Sequence, residues 1–306
     1  MSVAVADTLV ISPLRISTMT VTANWGLPIN LDCLFDQLKG SYIPIGYPEE
    51  GILKFEHKKV VVGACHKDLF TNRKATNKSF FNQDTLILRR RFGQGWKEVN
   101  MKLFGNGGIQ MTGVPSQEFA TDSVSWLLEL IKRLPQSPFA TTNTTVTAAT
   151  GTPVTAGTAG AAGAAGAGTP AANTVVVPAV TKISVPLINT DYSLSHDIQQ
   201  DNLHRIFIEE YNLFSMLEKT IYQGVNTKYF YNTTNNKTGV CRCAAFCKGQ
   251  GNGSGNGECK RITMSIFRTG KIIITGARQM AQIHEAYEFL NRIFEKHATE
   301  VLIKRV

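Results

Sequence analysis

Apolar and polar residues alternate from Val99 to Phe104: Val99, Met101 and Leu103 fall on one side, Asn100, Lys102 and Phe104 on the other. A period of two predicts a strand. Gly105-Asn106-Gly107-Gly108 predicts a tight turn. Ile109 and Met111, alternating with Gln110 and Thr112, predict the returning strand. The same order of elements recurs near the C-terminus. Ile262, Met264 and Ile266 alternate with Thr263, Ser265 and Phe267; Arg268-Thr269-Gly270-Lys271 turns; Ile272 to Thr275 returns. Each hairpin then gives way to a helical period. Val124, Leu127, Leu128 and Ile131 form one stripe within Phe119–Arg133, and Met280, Ile283, Tyr287, Leu290 and Phe294 form another within Met280–His297.

The two units superimpose at a constant offset of 163, with Met101/Met264, Phe104/Phe267, Gly107/Gly270, Ile109/Ile272, Thr112/Thr275, Gly113/Gly276 and Leu127/Leu290 identical. An internal duplication is the simplest account. Upstream, Ile16–Ala23 and Thr85–Phe92 read as strands and Leu31–Leu38 as a short amphipathic helix. Lys182–Ile188 reads as a strand and Asn202–Leu217 as a helix. The expected fold class is α+β: one curved antiparallel sheet made of two related halves, with helices on one face.

Composition sets the boundaries. The stretch 136–181 is rich in Thr, Ala, Gly and Pro and has no Lys, Arg, Asp or Glu, so it is expected to be a disordered linker. The expected organisation is a disordered N-terminus (1–12), a first repeat (13–135), the linker, and a second repeat (182–306) containing a Gly-rich loop (249–257). The chain is 43% hydrophobic and 18% charged, which excludes a wholly disordered protein. No apolar run approaches the ~18–20 residues of a spanning helix, and no membrane partner is expected. The N-terminal residues carry no basic region of a secretory signal, so an intracellular setting with reduced cysteines is expected. A net charge of +9 favours an anionic partner, nucleic acid first.

The informative anomaly is a pair of phenylalanines. A sheet covered by helices on one side is polar on the other. Phe104 shares its side with Asn100 and Lys102, and Phe267 shares its side with Thr263 and Ser265. Each is an aromatic beside a hairpin tip on the side expected to be uncovered, and the pattern occurs twice. Such aromatics either tuck against a neighbouring loop or are presented to a ligand. A DNA base step is a fitting ligand, because minor-groove proteins insert Phe wedges that unstack the step and kink the duplex.

The hairpin-plus-helix units, above all Phe267-Arg268-Thr269-Gly270-Lys271-Ile272-Ile273-Ile274-Thr275-Gly276-Ala277-Arg278, resemble the TATA-box-binding-protein family. Phe104 to Val114 is a degraded copy of that signature. The insertions, and Ser79-Phe80-Phe81-Asn82 ahead of a basic strand, are most like the family's members in nucleocytoplasmic large DNA viruses. The resemblance implies a pseudo-twofold saddle whose concave sheet sits on the DNA minor groove. It implies a Phe pair in each half: Phe104 with Phe81, and Phe267 with Phe230 as a weaker second member. It maps groove-lining positions onto Thr112, Thr275, Gln110 and Ile273, and phosphate contacts onto Lys271 and Arg89. Lys102 and Thr18 complete the expected DNA-binding set. Gln110 stands where an apolar residue is expected, Gly108 where a Lys is expected, and the family's central Asn pair has no counterpart near Leu14 or Ile183.

The implied role is that of a transcription initiation factor, not an enzyme. It would bind A·T-rich promoter duplexes as a monomer, kink them, and recruit a transcription factor B-like protein and RNA polymerase. Its location would be the site of transcription, in a host nucleus or viral factory, or packaged in a virion. The alternative is a scaffold that keeps the fold but binds proteins rather than DNA.

Cys241, Cys243, Cys247 and Cys259 are spaced C-x-C-x3-C-x11-C. That spacing lacks paired C-x2-C knuckles, so ordinary reduced cysteines are expected, with a structural zinc site as the alternative. Cys65-His66 is read as a loop detail rather than a nucleophile pair. The Gly-rich runs have neither the Lys-Ser/Thr of a P-loop nor the strand–Gly–helix order of a dinucleotide site. No cofactor is expected.

Overall fold

The computed structural model describes residues 8–70, 82–140, 143–145, 173–175, 177–234 and 237–305. The first half runs β1 (Arg15–Asn24), α1 (Leu31–Leu38), β2 (Gly51–His57), β3 (Val60–Gly63), α2 (His66–Phe70), β4 (Gln83–Phe92), β5 (Gly95–Phe104), β6 (Gly108–Val114) and α3 (Gln117–Lys132). Two short strands, β7 (Asn143–Thr145) and β8 (Asn173–Val175), pair with each other between the halves. The second half runs β9 (Thr181–Ser193), β10 (Asp197–Ile198), α4 (Gln200–Glu209), β11 (Phe214–Glu218), β12 (Tyr222–Tyr231), β13 (Lys260–Phe267), β14 (Lys271–Ala277), α5 (Met280–Lys296), α6 (Ala298–Val301) and β15 (Leu302–Ile303).

Eleven of these strands form a single sheet in the order β11-β12-β13-β14-β9-β1-β6-β5-β4-β2-β3. The first strands of the two halves, β1 and β9, pair antiparallel at its centre, with Thr18 opposite Asn189 and Met19 opposite Ile188. Outward from that seam the two sides repeat one another: β6, β5, β4 and β2 on one flank, β14, β13, β12 and β11 on the other. The expected α+β fold of two related halves is the fold observed.

Strand alternation is the source of the layering. Met19, Val21, Ala23, Val99, Met101, Leu103, Ile109 and Met111 are buried with Leu34, Phe35, Val124, Leu127 and Ile131 of α1 and α3. Val225, Tyr229, Ile262, Met264, Ile266, Ile272 and Ile274 are buried with the apolar faces of α4 and α5. Helix starts are set locally: the Asn30 side chain accepts the Cys33 N–H at 3.0 Å, and Ser116 Oγ accepts the Phe119 N–H at 3.1 Å. The cores also exchange segments. Leu9, Ile11 and Leu14, ahead of β1, pack on the second core. Val180, ahead of β9, and Ile183 and Val185 near its start pack on the first.

Several boundaries differ from expectation. The helix expected over Asn202–Leu217 ends at Glu209; Asn212 takes a positive φ of 51°, and Phe214–Glu218 is an edge strand. The stretch expected to be disordered linker is anchored at both ends. Asn30 N–H donates to Pro138 O (2.8 Å), Ala140 N–H to Pro28 O (2.9 Å) and Ala179 N–H to Trp25 O (3.1 Å). Phe139 meets Trp25 edge-on at 5.5 Å. Likewise the described part of the N-terminus is tied down, with Ser12 N–H donating to Ser193 O at 2.9 Å. Most of the linker, residues 141–142, 146–172 and 176, lies outside the described residues.

Candidate nucleic-acid interface

The helices leave one face of the sheet uncovered, and the residues of the second strand parity occupy it: Thr18, Thr20 and Thr22 on β1, Gln110 and Thr112 on β6, Lys102 and Phe104 on β5. In the second half they are Asn189 on β9, Ile273 and Thr275 on β14, Thr263 and Phe267 on β13, and Asn226 and Lys228 on β12. All are half-buried, whereas their chain neighbours on these strands are mostly buried.

The two hairpin phenylalanines are held by the same device. In each turn a glycine with positive φ, Gly107 at 78° and Gly270 at 69°, lies against backbone of the segment that leads into the first helix of its half, α1 or α4. A Cβ there would meet Leu27 O at 2.1 Å or His196 O at 2.2 Å, so only glycine fits. Gly107 N–H donates to Phe104 O and Gly270 N–H to Phe267 O, both at 2.9 Å. The turn oxygens accept from Trp25 N–H (3.0 Å) and Leu194 N–H (2.9 Å). The backbone thereby fixes each tip.

Phe267 has an aromatic companion, but it is Tyr222 rather than Phe230. Phe267 lies opposite Gly224, and the Tyr222 ring meets it at 5.6 Å with a 59° tilt. A Cβ on Gly224 would stand 2.9 Å from the Tyr222 ring and 3.3 Å from the Phe267 ring, so the glycine makes the pair possible. Phe230 lies opposite Arg261 at the far end of β12, against the loop at Gly249. In the first half Phe104 lies opposite Gln83. Phe81 precedes Gln83 by the interval at which Tyr222 precedes Gly224, and it lies outside the described residues.

Arg89 is displaced from its expected role. It is 2% exposed, and its guanidinium donates to the carbonyls of Ile45 and Tyr47. Arg90 lies on the helix face, bonded to Glu50 (2.7 Å) and Asp122 (2.6 Å) and stacked over Trp126. The exposed member of the run is Arg91, over Trp96. Lys271 stands exposed at the start of β14, where it lines a recess with Phe267, Arg268, Lys219 and Ile273.

Two polar residues were not foreseen. Asn189, on the central strand, accepts a hydrogen bond from the Thr275 hydroxyl, so the uncovered face does carry a central asparagine in the second half. Its signal was present: Leu187, Asn189 and Asp191 alternate with Ile188, Thr190 and Tyr192. Lys228 donates to Asn226 Oδ1 (2.7 Å) and Thr263 Oγ1 (3.0 Å), and burial pushes its pKa down.

The halves differ in openness. Leu53 and Ile87, which belong to the uncovered face of the first half, are covered by Ile43 and Cys65. His66 Nδ1 contacts Glu98 at 2.5 Å on the same side. Cys65 Sγ lies 3.1 Å from Asp68 Oδ2, and burial pushes its thiol up. The four cysteines 241, 243, 247 and 259 are brought together in the loop between β12 and β13, the one grouping of His, Cys, Asp or Glu among the described residues with its donor atoms close enough to hold a metal ion.

The family model described as "Transcription factor TFIID (or TATA-binding protein, TBP)" matches residues 257–297, which span β13, β14 and α5. Over 299 residues the chain is 24% identical to a protein of Acanthamoeba polyphaga mimivirus called "TATA-box-binding protein-like", covering 95% of this chain and 67% of the viral one. The solved Methanococcus jannaschii TBP aligns with a TM-score of 0.40 at 14% identity, over 93% of this chain and 97% of that one. The resemblance carried by the Phe267–Arg278 signature therefore holds: the chain is similar to TATA-binding proteins, and to a giant-virus protein of that description.

Proposed function

We propose that the uncovered face binds duplex DNA through the minor groove, and that the protein acts in transcription initiation. The observation that carries this reading is the paired placement of Phe104 and Phe267. Two half-buried aromatics stand on a face whose centre is mostly polar, at pseudo-symmetric hairpin tips whose backbone is fixed by a glycine that admits no side chain. A wedge must be rigid to unstack a base step, and the unstacking cost of a few kcal/mol is offset by the contact that the bend brings. Between the wedges the face offers small hydroxyls (Thr18, Thr20, Thr112, Thr275), Asn189 and Ile273, which suit the close approach and coarse A·T-versus-G·C readout of a minor groove. Lys102 and Lys271 lie where they would meet phosphates and set register without reading sequence.

Promoter DNA, a transcription factor B-like protein and RNA polymerase are the partners of this reading, with the helix face and hairpin tips as the docking surfaces. The site of transcription, host nucleus or viral factory, is the corresponding location. The test is selection of bound duplexes from a random pool, followed by bend measurement on those selected. Enrichment of A·T-rich sites with a bend abolished by Phe104→Ala/Phe267→Ala supports the reading; absence of both overturns it.

A second reading, a protein-binding scaffold with little DNA affinity, is favoured by one observation. The outer part of the first half's uncovered face is filled by Ile43, Leu53, Cys65 and Ile87, and Arg89 is occupied by loop carbonyls. A groove bound over one half only would bend less than a full saddle, so the bend angle separates the two readings.

A further inference from the structure

In the first half, β4 and β5 join through a tight turn at Gly93, whereas in the second half β12 and β13 are separated by residues 232–259. This insertion has little apolar content with which to order itself. Val240 is its one hydrophobic packed on the second core among the described residues, Phe246 is 88% exposed, and the rest is largely Gly, Asn and Thr. Yet the insertion brings four cysteine sulfurs within 4.8 Å of one another. Cys259 Sγ lies 3.4 Å from Cys243 Sγ and 3.7 Å from Cys241 Sγ. Tetrahedral Zn²⁺ with Zn–S of about 2.3 Å places its sulfurs about 3.8 Å apart. A disulfide would need about 2.05 Å, and none of the six cysteines is disulfide-bonded.

We infer that Cys241, Cys243, Cys247 and Cys259 bind one Zn²⁺ as a structural tetrathiolate site. Two further observations support it. Gly257 N–H donates to Cys243 Sγ at 3.0 Å and Asn232 Nδ2 to Cys259 Sγ at 3.3 Å, the N–H···S donors that orient and stabilise metal-bound thiolates. Of the charged residues directly beside the ligands in sequence, Arg242, Lys248 and Lys260 are cationic and Glu258 is anionic, a balance of +2 that offsets the two negative charges of a zinc tetrathiolate. Binding converts four thiols to thiolates and releases four protons, with no redox change. Four protein ligands leave no position for water or substrate, so the site is structural rather than catalytic.

The site would order the insertion against α5 and the sheet. Asn252 accepts from Arg278 Nη1 (3.0 Å) and, through its carbonyl, from Gln282 Nε2 (3.1 Å) at the helix start. Gly249, φ 68°, packs against Phe230 and Arg261. This inference does not depend on the DNA-binding proposal.

The test is metal analysis of the full chain, purified under reducing conditions from zinc-supplemented medium. The expected result is about one zinc per chain, with the cluster thiols protected from a thiol reagent until a chelator strips the metal. Cobalt added to the stripped protein should give the absorption of a tetrahedral thiolate site. Cys243→Ser/Cys247→Ser should abolish both signals, while Cys33→Ser/Cys65→Ser should retain them. The cobalt titration of the parent chain reads the site even if the cysteine variant fails to fold. Folded parent chain with substoichiometric zinc, freely reacting cluster thiols and no cobalt spectrum would overturn the inference, as would full zinc retention in Cys243→Ser/Cys247→Ser.

Discussion

Tyr222 and Phe267 face each other across neighbouring strands, their ring centroids 5.6 Å apart, with Gly224 beneath them leaving the room that any side chain would fill. The pair stands at the edge of the uncovered face where the hairpin turns. A rigid aromatic pair is a better wedge than a lone ring, because each ring limits the other's rotation and little entropy is left to lose on insertion.

Tyr222→Ala and Phe267→Ala should each reduce DNA bending and weaken duplex affinity by about tenfold or more, which corresponds to ~1.4 kcal/mol. Phe230→Ala should leave both unchanged. Energy transfer between the ends of a labelled duplex reads the bend. Equal losses from Phe230→Ala and Tyr222→Ala would sink the assignment of Tyr222 to the wedge. Gly224→Val should act like the ring deletions by forcing the rings apart.

Arg89 and Lys271 separate structural from ligand-facing charge. Replacing Lys271 by Ala should lower the slope of log affinity against log salt by about 1, as expected for one lost phosphate contact. Arg89→Ala should leave that slope unchanged and instead destabilise the fold by about 1–3 kcal/mol, because the Ile45 and Tyr47 carbonyls lose their donor. Salt-dependent binding isotherms and urea unfolding of the two variants check both halves of the statement.

The hairpins and the long helices were legible because their apolar periods are carried by many residues at once. Val99–Phe104 and Ile262–Ile266 alternate up to a Gly-marked turn, and Met280–Lys296 keeps its stripe for its whole length. What was illegible depended on register or on distant chain. Tyr222 and Phe230 share a strand parity, so alternation cannot choose between them; the pairing of Gly224 with Phe267 does. Arg89 reads as a solvated charge until the 45–47 loop carbonyls fold over it. Asn202–Leu217 keeps an apolar period through Phe207, and only the positive φ at Asn212 shows where the helix gives way to a strand. The C-x-C-x3-C-x11-C spacing matches no simple knuckle, yet the loop closes on itself and brings the sulfurs together.

Phe139 tests the boundary that composition misplaced. It belongs to a stretch read as linker, yet it packs edge-on against Trp25, which is itself 1% exposed. Aromatic pairs of this geometry contribute about 0.5–1.5 kcal/mol beyond the area they bury. Phe139→Ala should therefore lower unfolding free energy by ~1–3 kcal/mol. Phe246→Ala, at an 88% exposed position, should change it by less than about 0.5 kcal/mol. Denaturant melts of the two variants against the parent decide it, and a neutral Phe139→Ala would return the segment to the linker.

Asp84 makes stability depend on pH in an unusual direction. It is 1% exposed beneath α1, with Oδ1 2.7 Å from His57 Nδ1 and Oδ2 without a hydrogen-bond partner among the described residues. His57 Nε2 in turn lies 2.9 Å from Asp32, which Lys58 also holds, so the facing groups are His57, Asp32 and Lys58. Burial pushes the Asp84 carboxyl up to about 6, against the opposing pull of His57. The folded chain therefore binds this proton more tightly than the unfolded chain, whose Asp titrates near 3.9. The group's contribution to stability is fully present below about pH 4 and is lost as pH rises through about 6. Relative to Asp84→Asn, the parent should gain stability as the pH falls from about 7 to about 4. Urea unfolding of both proteins across that range gives the difference curve. A flat curve, or one that rises with pH, would show that Asp84 stays ionised in the folded protein and that His57 rather than burial governs it.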